Sequence, residues 1–332
     1  MTSKSPLDQQ IRQILRNHYA IDVKMIDCLN TGADINASVY KAIDQNQSRY
    51  FIKLRQSNHN DLSTIITDFL YQEGIQNIIP GIKTCHGQPF QVLDDQTLTV
   101  FPFIDGQDGF STDLTDHQWQ SLGKTIKKIH TIKYPQHIRD KIPLESYSAK
   151  WRQVLLPLDT FIDDLIATDS VAHALINFIK QHQSSLKILL DHAERLSHAI
   201  QDQTSDFVLC HSDLHAGNIM VDSTGKLFIV DWDQPILAPK ERDLMFIGGG
   251  IGNVWNKPDE EVLFYQGYGS TTINRDLLAY YRINRILEDI TEYCQFLLIN
   301  TDDGGQKRQT WYQEFIDQFA RNGVIDIALN LP

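Results

Sequence analysis

The chain is poor in the features that would stabilise or locate it by means other than a buried core. Its four cysteines, Cys28, Cys85, Cys210 and Cys294, stand far apart with no CxxC spacing, which argues against a disulfide framework or a zinc knuckle and for reduced thiols. No stretch approaches the roughly 18 consecutive apolar residues of a membrane span. Met1 to Ala20 carries apolar residues only at Leu7, Ile11, Ile14, Leu15 and Tyr19, the face of an amphipathic helix and not the unbroken apolar run of a signal peptide. A cytoplasmic protein is therefore expected. Basic residues are also in deficit: 30 Lys and Arg face 42 Asp and Glu, for a formal net charge of −12, with no basic cluster. A nucleic-acid partner and an anionic membrane are thus not expected, and a cationic small molecule suits the balance better, although the same charge also serves simply to keep a protein dispersed.

What is present suffices for a large fold. Hydrophobic residues make up 42% of the 332 positions and charged residues 22%, a globular composition too long for one small core, so two lobes are expected. Val39 to Ile43 and Tyr50 to Leu54, separated by Asp44-Gln45-Asn46-Gln47-Ser48, read as a β-hairpin. Leu62, Ile65, Ile66, Phe69 and Leu70 recur at helical spacing and stop at Gly74, and Thr97 to Phe103 gives another strand. After Gly106 the pattern turns helical: Asp116 to Ile132, Ser170 to Ile200 as one or two helices, and Leu277 to Leu298. One β island interrupts it, with strands at Phe207 to Cys210, Ile219 to Val221 and Leu227 to Val230. Asn300 to Arg308, with Gly304-Gly305, reads as a separator of two helices.

That island carries the chemistry. Residues 211 to 218 read His-Ser-Asp-Leu-His-Ala-Gly-Asn, and Asp231 follows Asn218 by thirteen positions. Asp213, just past a strand, is a candidate general base that orients a substrate hydroxyl, while Asn218 and Asp231 offer the hard oxygen ligands that Mg²⁺ takes beside a nucleoside triphosphate. Asp, Asn and Gly are common in any turn, so each residue alone is weak evidence. The spacing His-x-Asp-x-x-x-x-Asn followed by a hairpin and an acid is what points to phosphoryl transfer. A zinc site of His211, Asp213 and His215 needs a helix, and the preceding strand with Gly217-Asn218 predicts a loop, leaving the two histidines as braces for Asp213. Lys53, on a strand between apolar neighbours, reads as the cation on the α- and β-phosphates, with the small polar segment around Gly32 folding over them. Its steering acid is sought among Asp61, Asp68 and Glu73, with Asp61 favoured for its place in the first helical turn. At Phe101 to Ile104 an adenine can pair with backbone groups, Pro102 accepting and Ile104 donating.

Together these residues resemble the aminoglycoside phosphotransferase family, from the glycine-containing loop and Lys53 through Leu122-Gly123 and Ile129-His130 to the 211–218 motif and Asp231. Ala238 to Gly250 and Gly252 to Pro258 resemble the members of that family that act on spectinomycin. The resemblance implies an α+β, bilobal, protein-kinase-like fold, with a β-rich N-terminal nucleotide-binding lobe over 1–101, a hinge over 102–106 and a mainly helical catalytic and substrate-binding lobe over 107–332. It implies ATP and Mg²⁺ as cofactors, Asp213 as catalytic base, Asn218 and Asp231 as magnesium ligands and Lys53 as phosphate contact. As substrate it implies the cationic aminocyclitol antibiotic spectinomycin, phosphorylated on its 9-hydroxyl, with Trp255 as an aromatic wall or equally a core residue. The same residues also fit a metabolic kinase for choline, homoserine or a similar amino alcohol. An inactive binding module is disfavoured because Lys53, Asp213, Asn218 and Asp231 are all in place. Two departures stand out: Asp231 is followed by Trp232-Asp233 where protein kinases have Phe-Gly, and Asp61 is shorter than the usual Glu.

Overall fold

A computed structural model of the chain describes residues 6–29, 37–56, 62–156, 160, 162, 166, 167, 169–201, 206–249, 251–299 and 306–330. In chain order the elements begin α1 (Pro6–Tyr19), β1 (Val23–Leu29), β2 (Ala37–Asp44), β3 (Arg49–Gln56), α2 (Leu62–Gln72), β4 (Gln91–Leu93), β5 (Gln96–Pro102), β6 (Gly106–Asp108), α3 (Asp116–Thr131), α4 (Gln136–Arg139) and α5 (Lys150–Leu155). They continue α6 (Ser170–Gln181), α7 (Gln183–Ile200), β7 (Phe207–Cys210), β8 (Ile219–Asp222), β9 (Leu227–Ile229), β10 (Ile236–Pro239), α8 (Glu241–Leu244), α9 (Pro258–Tyr268), α10 (Arg275–Ile299), α11 (Gln306–Asp317) and α12 (Val324–Leu329). The architecture is mixed α+β. Of Asn300 to Arg308, expected to separate two helices, residues 300–305 lie outside the described residues, whereas 306–308 already belong to α11.

Two compact units emerge, and both are interleaved along the chain. The first comprises residues 1–112, 133–142 and 217–235, and the second 113–132, 143–216 and 236–332. The expected division at 101 and 107 follows chain order, whereas these units do not, because the β8–β9 hairpin pairs with β6 and so joins the first unit.

The first unit is built on an antiparallel sheet of order β1-β2-β3-β5-β4. Alternation along β3 buries Ile52 and Leu54 and leaves Lys53 on the opposite face, opposite Val39 of β2 and Thr99 of β5. Ile11, Ile14, Leu15 and Tyr19 of α1 close the same core, which is why the polar N-terminal segment shows helical periodicity. A second sheet, β6-β8-β9, begins at Gly106, where an added Cβ would stand 2.1 Å from the Val221 carbonyl oxygen and only glycine fits.

The second unit is mainly helical. Its core joins α5, α6, α7, α10, α11 and α12 through Leu155, Leu175, Leu189, Leu287, Phe315 and Ile325. α3 starts at a capping box between Thr115 and Gln118 and packs closely on α9. Gly123 and Gly267 permit that approach, since a Cβ on either would meet the partner backbone at 2.1 and 1.9 Å. A two-stranded antiparallel sheet, β7 with β10, leads into the residue 211–216 segment.

Candidate active site

In the first unit, strand β3 and the end of the β8–β9 hairpin meet over Lys53. Lys53 Nζ donates to Asp231 Oδ1 at 2.8 Å and to Asp233 Oδ2 at 2.5 Å, and Arg55, two residues along the same strand face, donates to Asp233 Oδ2 at 2.9 Å. The Lys53 side chain is 12% exposed; burial works against its charge, but the two carboxylates outweigh it and hold its pKa above the ordinary lysine value. Hairpin register positions the neighbouring candidate. Asn218 directly precedes β8, and its carbonyl accepts the Val230 N–H at 2.9 Å, which brings the backbone of Asn218 beside the residue preceding Asp231. The hairpin is anchored by Asn77, whose side chain donates to the Leu227 carbonyl and whose carbonyl accepts the Ile229 N–H. Asp231 adopts φ +62, a left-handed conformation that Asp tolerates better than most residues, and the Trp232 indole donates back to Ile229.

Asn218 is 7% exposed, whereas the Asp231 side chain is 44% exposed with one oxygen on Lys53. An amide oxygen and a carboxylate are the hard donors that Mg²⁺ takes. Of the expected nucleotide-side residues, Gly32 and Asp61 lie outside the described residues. Asp68, another acid considered for Lys53, is instead engaged by Lys83 at 2.6 Å. Pro102 ends β5 and is exposed, and Ile104 is half-buried two residues beyond it.

In the second unit the residue 211–216 segment is irregular and held from beneath. Asp243 of α8 is fully buried and accepts the N–H of His211 at 3.0 Å and of Ser212 at 2.7 Å, which stabilises Ser212 at φ +73. His130 joins Asp243 at 3.0 Å through Nε2 and the Tyr268 hydroxyl at 2.8 Å through Nδ1. Burial opposes the Asp243 charge, yet His130 and the loop N–H groups hold its pKa below the ordinary value. With Cys210, His130 and Asp243 form a buried trio having metal-ligating atoms within 4.8 Å, but these hydrogen bonds already engage both histidine nitrogens and both carboxylate oxygens. The trio therefore reads as a brace.

Above that brace, His211 Nδ1 accepts the Asp213 N–H at 3.3 Å and His215 Nε2 lies 3.5 Å from Asp213 Oδ2, so both histidines brace the aspartate. Arg285 of α10 donates to Asp213 Oδ1 at 2.6 Å and to Asp289 Oδ1 at 2.8 Å. Burial raises the Asp213 pKa, but Arg285, His215 and His211 prevail and hold it well below the usual carboxylate range. Trp255 is 5% exposed and packs edge-on against Trp119, ring centres 5.0 Å apart, so of the two expectations for this residue its ring occupies a core position.

Three residues in these arrangements escaped the sequence reading. Asp233 stood in view as the second acid of Asp-Trp-Asp, two positions after Asp231. Asp243 lay in a segment valued only for its resemblance. Arg285 left a fainter trace, a charged residue inside the apolar pattern of a long helix.

Residues 31–262 match the sequence profile of the phosphotransferase enzyme family. The chain belongs to that family. Among solved structures, the fold is similar to spectinomycin phosphotransferase APH(9)-Ia in complex with ADP and spectinomycin, at 40% identity and a TM-score of 0.89, covering 97% of this chain and 98% of that one. An AMP-bound complex of the same enzyme gives 38% identity and a TM-score of 0.85 over the same shares. An uncharacterized protein of Metamycoplasma hominis is 23% identical over 257 residues, 77% of this chain, which spans only 42% of that protein's length. The family member described here is thus a phosphotransferase with the kinase-like fold of the aminoglycoside phosphotransferases, its sheet in the N-terminal region and its helices towards the C-terminus.

Proposed function

We propose that this phosphotransferase transfers the γ-phosphoryl group of ATP to the 9-hydroxyl of spectinomycin, inactivating the antibiotic in the cytoplasm. The likeness to a spectinomycin phosphotransferase over 97% of the chain at 40% identity carries the reading. The net charge of −12 supports a cationic aminocyclitol as acceptor.

In this reading Lys53 contacts the nucleotide phosphates. The adenine pairs with backbone groups at Pro102 and Ile104. Asn218 and Asp231 would hold Mg²⁺, which when bound neutralises charge on the triphosphate. Asp213 accepts a hydrogen bond from the acceptor hydroxyl and aims its oxygen at the γ-phosphorus. A P–O bond forms to that oxygen, the bond from the γ-phosphorus to the β–γ bridging oxygen breaks, ADP leaves, and the hydroxyl proton passes late to Asp213. The depressed basicity of Asp213 suits such a role, because orientation contributes more than early proton removal.

The test is kcat/KM with ATP for spectinomycin, kanamycin and choline under identical conditions, with the phosphorylated position assigned by NMR of the product. Spectinomycin is expected to lead by a wide margin. Comparable turnover of kanamycin, or faster turnover of choline, would reject the spectinomycin assignment and leave phosphotransfer standing.

A further inference from the structure

The histidines of the 211–218 motif brace Asp213, and a charged contact from outside the motif reaches its carboxylate as well. The backbone is fixed by His211 and Asp243, but side-chain torsions remain, and His215 at 3.5 Å from Oδ2 is a loose restraint. A short, charged contact comes from 72 positions away, where Arg285 Nη1 meets Oδ1 at 2.6 Å. Arg285 is itself fixed at a second point, through Nε on Asp289 Oδ1 at 2.8 Å one helical turn along, and its guanidinium carbon stands 5.9 Å from the Phe246 ring centre. A planar guanidinium anchored on one carboxylate and donating to another sets the direction of the second, which a lysine point charge cannot do. Exposure follows the same logic. The side chains of Arg285 and Asp289 are 18% and 13% exposed, while that of Asp213 is 36% exposed, so the brace is sheltered and the braced carboxylate presents itself to solvent.

We infer that Arg285 is a positioning residue for phosphoryl transfer, acting through Asp213 by holding its carboxylate in the orientation and charge state that receives the acceptor hydroxyl. The inference rests on the proposed role of Asp213. The charged and titratable groups around the pair are His211 and His215 on the loop and Asp289, Glu288 and Glu292 on α10, of which only the histidines join Arg285 in favouring the ionised form. A purely structural Arg285, one that merely staples α10 to the loop, would affect the amount of folded protein and leave the kcat of that folded protein where it is.

Two readouts separate these cases. In the intact protein the Asp213 carboxyl is followed by ¹³C NMR against pH, its signal assigned by its loss in Asp213→Asn, and kcat and the KM for ATP are measured with spectinomycin. In Arg285→Gln the Asp213 midpoint is expected to move to higher pH, with kcat falling about 10²-fold and the KM for ATP near the parent value. Arg285→Lys keeps a cation without the fork, so its midpoint should stay near the parent's while kcat still falls; a parental kcat in Arg285→Lys would overturn the positioning role even if Arg285→Gln does not fold. An unmoved midpoint in Arg285→Gln would overturn it as well. Near-parental turnover by Asp213→Asn would remove Asp213 from the mechanism and Arg285 with it, whereas a dead Asp213→Asn beside an unaffected Arg285→Gln rejects Arg285 alone.

Discussion

Each compact unit holds a cation between two carboxylates, and the two clamps are built from opposite materials. In the first unit Lys53 stands 2.8 Å from Asp231 and 2.5 Å from Asp233, both delivered by the segment that leaves one hairpin. In the second Arg285 stands 2.6 Å from Asp213 on a loop and 2.8 Å from Asp289 on its own helix. An ammonium is a point charge on a flexible stem and can exchange one acid for a phosphate without a change of geometry, whereas a guanidinium fork fixes a direction. The lysine clamp suits a site where an anion arrives and leaves. The arginine clamp suits a carboxylate that has to stay aimed. The difference implies that damage to the second unit should appear in the rate of chemistry, and damage to the first in the handling of nucleotide and metal.

The strongest break in that comparison is Asp213→Asn. It is expected to lower kcat by about 10²–10⁴-fold while MgATP binds nearly as tightly as in the parent. Single-turnover rates set beside nucleotide affinity decide it, and a loss of affinity equal to the loss of rate would erase the distinction between the clamps. Next in size come the proposed metal ligands. Asp231→Ala removes a charged oxygen and should hurt more than Asn218→Ala, whose activity should recover in part as Mg²⁺ is raised. Titration of activity against Mg²⁺ separates the two, and parent-like curves for both would remove them from metal binding. A smaller effect is expected of Asp233→Asn, which leaves Lys53 with Asp231 and removes the carboxylate charge to which Arg55 also donates. The KM for ATP should rise about five-fold, the equivalent of roughly 1 kcal/mol for a partly exposed ion pair, with kcat little changed. A fall in kcat without a change in KM would place Asp233 in the chemistry instead.

The lysine clamp was half legible in the sequence and the arginine clamp was not. Alternation in Tyr50 to Leu54 set Lys53 apart from its buried neighbours, and the turn at Asp222 to Lys226 announced the hairpin that delivers Asp231; both are local patterns. The acid partners that Lys53 meets could not be read, since Asp233 lies 180 positions away and the spacing along a strand carries no information about so distant a segment. Arg285 had no local pattern at all, because its meaning depends on a loop 72 positions upstream. The same reason explains why the compact units escaped a reading in chain order: the β6–β8 pairing joins Gly106 to Asp222, and periodicity carries no information about which strand a hairpin will meet. Trp255 shows the limit from another side, since an aromatic ring in a suggestive segment looks alike in sequence whether it faces a ligand or, as here, Trp119.

The smallest expected effect is a control, an arginine–aspartate pair in the second unit remote from the motif in sequence. Asp169 caps α6 by accepting the Ala172 N–H at 2.9 Å and is paired with Arg308 of α11, and these hydrogen bonds hold its carboxyl down to about 2. Asp169→Asn keeps a capping oxygen, so it isolates the charge on Arg308. Because the folded pKa lies below the unfolded one, the stability that this charge supplies is present in full above the unfolded value near 3.8 and is lost as pH falls towards 2. Thermal unfolding of parent and variant should therefore differ by a few degrees from pH 7 down to about 4 and converge only in stronger acid, while kcat at pH 7 stays at the parent value. If Asp169→Asn instead lowered kcat as Arg285→Gln is expected to, loss of any buried arginine pair in this unit would slow the enzyme, and the special position given to Arg285 would go with it.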